Sequence, residues 1–256
     1  MKRAAAILVS LLFPFLTCGI AVAYPLLGPP DAPSPEELQN IKNIGVWFDP
    51  AEPLNITSVG TTAFTNASGT IPASDLHFDA VAIQAVADTM GSKFTSGPSD
   101  IAFSTIKQRL FNSYAGQLKA LIMATPDQKF DTYLNFRFTD SANDPIAGTN
   151  QKLHGMGIYR RNLFDLNRDA AYYYVAIDLI DRKTGDRIAG QALCFSPAGG
   201  ECEHQFWQPL KAGHWVEPDA ALSDEQKQAL RDDFTAILKD GIRGALTEMG
   251  LADTAK

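Results

Sequence analysis

Through residues 171–179 the side chains alternate, placing Tyr173, Val175, Ile177 and Leu179 on one side of a pleated strand and Tyr172, Tyr174, Ala176 and Asp178 on the other. A polar turn at 181–186 follows, with Gly185 free to take positive φ. Ile188, Gly190, Ala192 and Cys194 then return at period two. Residues 171–194 therefore predict a β-hairpin with one core face, and the rest of the chain is read around it. Gly190 and Ala192 are small, which predicts a bulky element, a helix, pressing on their face.

Other stretches carry their own periods. Residues 44–48 form a short apolar run that predicts a buried strand with Asp49 at its carboxyl end, and 54–66, rich in β-branched side chains, predict a second strand interrupted at Gly60. Val81, Ala82, Ala85, Val86 and Met90 repeat at helical spacing before Gly91, so residues 78–90 read as a helix. A second helix is expected over 104–124, burying Ile106, Leu110, Tyr114, Leu118, Leu121 and Ile122, with Pro126 just beyond its end. Clean alternation at 130–139 predicts a half-buried strand, and 155–159 a further one.

Residues 196–221 show no period and read as a long irregular connection. The last element is sharper: Ser223 and Gln226 match a capping box, and Leu230, Phe234, Ile237, Leu238, Ile242, Ala245 and Met249 make one apolar stripe. Together these elements predict an α+β or layered α/β domain over residues 41–252. A single mixed sheet with a central hairpin would be packed by two middle helices and a C-terminal helix.

The N-terminus changes the picture of where this domain works. Lys2 and Arg3, an apolar run at 4–16 and Ala21-Val22-Ala23 have the layout of a secretory signal peptide cleaved after residue 23, which predicts a periplasmic product. Cys18 offers a second outcome, acylation and an outer-membrane tether, but Thr17 before it is a poor context for the lipoprotein peptidase. Residues 24–40, rich in proline, read as an extended lead-in. Without Cys18, the pair Cys194 and Cys202 remains in an oxidising compartment. A disulfide between them would close a short loop and contribute about 2 kcal/mol; two unpaired thiols are the alternative. Loss of Lys2 and Arg3 takes the formal charge from −7 to −9, and so acidic a chain has no basic stripe for nucleic acid.

Motifs of chemistry are sparse. The pair Gly155 and Gly157 has Arg160 where a dinucleotide loop needs its third glycine, and a permissive turn accounts for both glycines. No Gly-x-Ser-x-Gly elbow is present. An enzyme reading rests on a dispersed site of Asp49 and Asp140 at strand ends, Thr61 and Thr62 after Gly60, and His154. Cys202, His204 and His214 have ligand chemistry but no recognised zinc spacing, and pairing of Cys202 with Cys194 is the preferred reading, so no metal and no cofactor are expected. Phe206, Trp207 and Trp215 are candidates for a partner-binding patch, because aromatic anchors concentrate at interface centres; aromatics capping a core are the other reading.

The segments IGV at 44–46, VGTTAF at 59–64, GMGIYRR at 155–161 and DLIDRKTGDRIAG at 178–190 resemble those of an uncharacterised exported bacterial protein family over most of the mature chain. More distantly, the strand starting near IGV and the late DxxTG hairpin resemble the periplasmic domains of curli-secretion and penicillin-binding-protein-activator lipoproteins. That resemblance implies non-catalytic assembly or regulatory work on an envelope protein or ligand, with membrane attachment only if Cys18 is lipidated. The alternative expectation is a periplasmic hydrolase of a small molecule or ester using the dispersed Asp/Thr/His site.

Overall fold

The computed structural model describes residues 32–61, 65–106, 114–125, 129–141, 152–163, 166–194 and 206–253. In chain order these form helix α1 (Pro35–Asn40), strands β1 (Asn43–Trp47), β2 (Leu54–Val59) and β3 (Ala67–Ile71), helix α2 (Phe78–Met90), strand β4 (Thr95–Pro98), helix α3 (Tyr114–Ala124), strands β5 (Thr132–Phe138), β6 (Met156–Leu163), β7 (Leu166–Tyr173), β8 (Val175–Asp181), β9 (Arg187–Ala192) and β10 (Trp207–Pro209), and helix α4 (Asp224–Glu248). The signal sequence, Cys18 and the start of the lead-in lie outside the described residues. So do Thr62, Leu110, Pro126, Cys202 and His204.

The architecture is α+β, with two mixed five-stranded sheets where one was expected. The first sheet runs β4-β1-β5-β8-β9 and the second β10-β7-β6-β2-β3. In the first, β1 is parallel to β4 and β5, whereas β5, β8 and β9 are antiparallel neighbours. In the second, β2 and β6 are parallel and the remaining pairs antiparallel. The stretch read as one strand from residue 171 is the end of β7 and the start of β8, with Tyr174 alone between them. The alternation passes through this change of sheet unbroken: Tyr173, Val175, Ile177 and Leu179 all enter the same core. Side-chain period therefore carried no sign of the junction.

That main core is shared by both sheets and two helices. Ile44, Val46, Leu134 and Phe136 of the first sheet meet Leu54, Ile56, Met156 and Ile158 of the second, under Ala82, Val86 and Met90 of α2 and the α4 stripe. Phe78 and Phe234 join α2 to α4 with ring centroids 5.9 Å apart. Every position of the expected α4 stripe is buried. The capping box also forms: the Ser223 hydroxyl accepts from Gln226 N at 3.2 Å, and Gln226 Oε1 accepts from Ser223 N at 3.0 Å.

α3 covers the opposite face of the first sheet, where Leu118 and Ile122 pack with Ile101, Phe103, Tyr133 and Ile180. With helices on both faces, Thr132 to Phe136 of β5 are all buried, so the strand expected to be half-buried is central instead. β8 is likewise buried on both faces except at Asp181.

Other local expectations need correction. The lead-in is not extended throughout, because Ser34, Pro35 and Glu37 supply N-cap, first-turn proline and N3 carboxylate for α1. Six residues are too few to display an apolar period. The second helix does not begin at Ser104: residues 103–105 make a 3-10 turn and Ile106 is extended. β3 and β4 were not anticipated, and Trp207 lies on a strand within the stretch read as irregular. Gly190 does not make room for a helix. A Cβ there would stand 2.4 Å from Arg187 Nε, so the space is filled by a guanidinium.

Candidate functional site at the junction of the sheets

Where the chain changes sheets, three backbone segments are stitched together. Tyr174 N donates to Gly155 O at 2.7 Å, Tyr174 O accepts from Thr139 N at 2.9 Å, and Gly155 N donates to Thr139 O at 3.0 Å. Gly155 has φ of +57°, which a side chain would make costly. Gly157, by contrast, lies within β6. A Cβ there would collide with the Asn55 carbonyl oxygen of β2 and stand 2.5 Å from the Tyr172 hydroxyl, so close approach of the neighbouring strand and of that ring, and not a turn, explains the second glycine.

The junction gathers polar side chains. Asp140 and His154 face each other in an isolated antiparallel bridge, with His154 Nδ1 2.7 Å from Asp140 Oδ1. The other ring nitrogen, Nε2, stands 3.6 Å from Glu52 Oε1. Asn55 Nδ2 fixes the backbone beneath by donating to His154 O and Met156 O. Glu52 sits in the short connection between β1 and β2. Burial holds its carboxyl above the usual value of 4.5, the attraction of His154 acts in the opposite sense, and repulsion from Asp49 adds to the rise. Asp49 itself makes a local turn, its Oδ1 accepting from Ala51 N at 2.9 Å.

Of the dispersed Asp/Thr/His set, the structure thus brings Asp140 and His154 into contact and places Asp49 beside Glu52, which the sequence reading had passed over. Thr61 is elsewhere. It follows the opposite end of β2, exposed, with its hydroxyl donating to Asn162 O at 3.4 Å; at roughly 3.3 Å per residue it is about 20 Å from His154. In a Ser-His-Asp arrangement one imidazole nitrogen faces a carboxylate and the other the nucleophile. Here Nδ1 meets one carboxylate and Nε2 faces another beyond hydrogen-bond distance, and among the described residues no hydrogen bond joins the His154 ring to a hydroxyl or thiol.

The three candidate aromatics separate into two sites. Phe206 stacks on Tyr174 with centroids 5.3 Å apart and planes 19° apart, and Tyr174 in turn meets Tyr172 at 5.9 Å. Trp207 on β10 is in register with Tyr172 of β7, and both belong to the apolar cluster of Val59, Leu153, Tyr159 and Tyr174 on the outer face of the second sheet. Burial pushes the Tyr172 hydroxyl well above the usual range of a phenol, so it stays protonated. Trp215 packs instead against the main core. The Arg160 guanidinium lies 4.3 Å from the centroid of its ring, and its Nε1 donates to Glu217 at 2.8 Å. Arg160 is held from behind by two bonds to Asp169, at 2.6 and 2.7 Å.

His214, weighed above as a metal ligand, points its Nδ1 at Asp233 of α4, 2.6 Å away, and Lys211 Nζ joins the same carboxylate at 2.5 Å. Among the described residues no three His, Cys, Asp or Glu side chains are placed to hold a metal ion. Cys194 is buried just beyond β9, beside Gly244 of α4. Among the described residues no helix is long and apolar enough to cross a membrane. No family model matches the chain, and comparison with curated proteins and with solved structures gives no match.

Proposed function

We propose that this chain is an exported, non-catalytic binding or accessory protein of the bacterial envelope, as the resemblance to curli-secretion and penicillin-binding-protein-activator domains implies. The observation that carries the non-catalytic half is the set of groups around His154. Its Nδ1 meets the Asp140 carboxylate at 2.7 Å, and the group facing Nε2 is the Glu52 carboxylate, 3.6 Å away and beyond hydrogen-bond distance, where a triad would place its nucleophile. The cluster then acts as a clasp that holds the β1–β2 connection to the start of β6 where the sheets meet.

The partner-facing surface in this reading is the β10 edge. Among the described residues β10 is the outermost strand of its sheet and carries Trp207, with Phe206 just before it, half-buried on the tyrosines. An edge strand offers unpaired backbone groups beside those aromatic anchors. Trp215 forms a second contact point next to Arg160. Export delivers the chain to the periplasm through the signal at 1–23, and a Cys194–Cys202 disulfide closes the segment leading into β10.

The test is pull-down from envelope fractions with wild-type, Trp207→Ala and Trp215→Ala proteins, alongside N-terminal analysis of the mature chain. The reading expects a mature N-terminus near Tyr24 and an envelope partner that is lost with Trp207→Ala. Unchanged partners with both variants would remove the patch, and an acylated Cys18 would replace a free periplasmic product by a tethered one. Hydrolysis of a small ester by the wild type that disappears in His154→Ala would put the hydrolase in place of the binding protein.

A further inference from the structure

The opposite face of the first sheet holds a charged cluster that the clasp and the aromatic edge do not use. Asp178 is fully buried on β8. Its Oδ2 accepts from Arg137 Nε at 2.9 Å and its Oδ1 from Arg137 Nη2 at 3.4 Å, while Arg187 Nε lies 3.2 Å from Oδ1. Two guanidinium groups therefore share one carboxylate, leaving one positive charge in excess within a chain whose overall charge is negative. The Arg137 guanidinium carbon lies 5.3 Å from the centroid of the Tyr114 ring of α3, and the Tyr114 hydroxyl accepts from Asn135 Nδ2 at 2.5 Å.

The backbone is shaped to bring Arg187 here. Pairing between β8 and β9 slips at Leu179 and Ile180, so that Leu179 faces Ala189 and Ile180 faces Arg187, with Ile188 left over as the bulged residue. The slip turns Arg187 onto the same face as Asp178, where regular alternation would have sent it to the other side. Gly190, opposite Asp178, completes the arrangement, because any Cβ would collide with the Arg187 side chain. A bulge and a glycine that together aim one arginine at a buried carboxylate are more than stability requires, since a desolvated ion pair gains little over apolar packing.

Asp178 occupies the Nε edge of both arginines. Arg137 also hydrogen-bonds the Tyr114 hydroxyl, whereas among the described residues no acceptor meets either terminal nitrogen of Arg187, whose side chain stays 26% exposed. A guanidinium fixed from behind by a carboxylate presents its remaining paired N–H donors without losing rotamer freedom on binding. We propose that Arg187 and Arg137, held by Asp178, form a binding site for a small oxyanion, a carboxylate or a phosphate group, at the outer end of the β8–β9 hairpin. The Tyr114 hydroxyl, kept protonated by burial and by the neighbouring Asp178, adds no negative charge to oppose it. The site is independent of the partner surface on the second sheet.

The experiment is calorimetric titration of the purified protein with sodium phosphate and with sodium acetate, against sodium chloride at matched ionic strength. Saturable binding of either oxyanion, and not of chloride, is expected, with the tighter of the two naming the ligand class. Arg187→Gln should weaken it about tenfold or more, the scale of a lost charge-assisted pair. Lys183→Gln, which removes the same charge from the exposed turn of the same hairpin, should leave it within about twofold. Gly190→Ala keeps every charge and should also weaken binding by displacing Arg187, which keeps the proposal testable if Arg187→Gln does not fold. Absence of saturation, equal response to chloride, or wild-type affinity in Arg187→Gln or Gly190→Ala would overturn the site.

Discussion

Helix α4 is seated against the first sheet through two glycines that face it with very different clearances, and replacing each by alanine separates helix propensity from packing. At Gly244 a Cβ would stand 2.1 Å from the carbonyl oxygen of Cys194 and 3.2 Å from its sulfur. Ordinary contact requires about 1 Å more, and the obstacle is backbone, so the helix itself has to retreat. Such overpacking costs roughly 1–3 kcal/mol, at the upper end for a rigid obstacle, against a gain of about 1 kcal/mol from exchanging glycine for alanine within a helix. The net for Gly244→Ala is a loss of about 1–2 kcal/mol, or a fall in Tm of roughly 3–6 °C for a chain of this size. At Gly241 the nearest atoms belong to the Leu193 side chain, with Cβ at 3.1 Å and Cδ1 at 3.5 Å, and a shift of a few tenths of an ångström relieves the contact. There the propensity gain and the packing cost nearly cancel, leaving Gly241→Ala within about 0.5 kcal/mol of wild type. Urea denaturation and calorimetry of the two variants side by side read the difference. A Gly244→Ala protein as stable as Gly241→Ala would refute the close approach of α4 to the residue after β9.

Phe234→Ala removes a fully buried ring packed on Phe78 and should cost about 3–5 kcal/mol in urea denaturation; a loss under about 1 kcal/mol would mean that α4 is not docked on α2. Glu52→Gln tests the clasp through pH. Because the folded-state pKa of Glu52 lies above its ordinary 4.5, the unfolded chain releases this proton first, and stability falls as pH rises from 4.5 through the folded value. The variant should lose that fall, so its denaturation midpoint relative to wild type climbs as pH rises above the ordinary 4.5, by an amount reduced by solvent screening of the half-open cluster. Parallel profiles would exclude a carboxyl raised by burial at Glu52. Asp233→Asn leaves Lys211 and His214 without their shared carboxylate, and trypsin should then cut after Lys211 measurably faster; an unchanged cleavage rate would show that this tether does not hold the loop.

Much of the fold could be read because its signals are local. α2 is bounded where the apolar stripe meets Gly91, α4 begins at its capping box, and the β8–β9 hairpin turns at Gly185 with φ of +68°. What was hidden is long-range. The change of sheet at Tyr174 leaves period two intact, so nothing in residues 171–179 distinguishes one long strand from two strands in different sheets. β3 and β4 are short edge strands whose pairing is supplied by β2 and β1, and Thr95–Pro98 carries almost no β-propensity of its own. The burial of β5 on both faces follows from where α3 comes to rest, which alternation along one strand does not encode.

The clasp and the charged cluster were legible to different degrees for the same reason. Asp140 and His154 were singled out separately, but Glu52 is an ordinary carboxylate in the two-residue stretch between Pro50 and Pro53, and only the parallel pairing of β2 with β6 carries it to the imidazole. Asp178 did leave a trace. It is the one charge in the apolar run 171–180, and a carboxylate there is tolerable only if a cation comes to it. Alternation marks Arg137 as one cation across the β5–β8 pair, but it assigns Arg187 to the wrong face, because a bulge reverses the side on which every earlier residue of a strand projects. The second arginine is what turns a balanced ion pair into a site with charge to spare. A structural role needs only the first, so the case for a ligand rests on the deviation from regular pairing that brings in Arg187, and on the glycine at 190 that accommodates it.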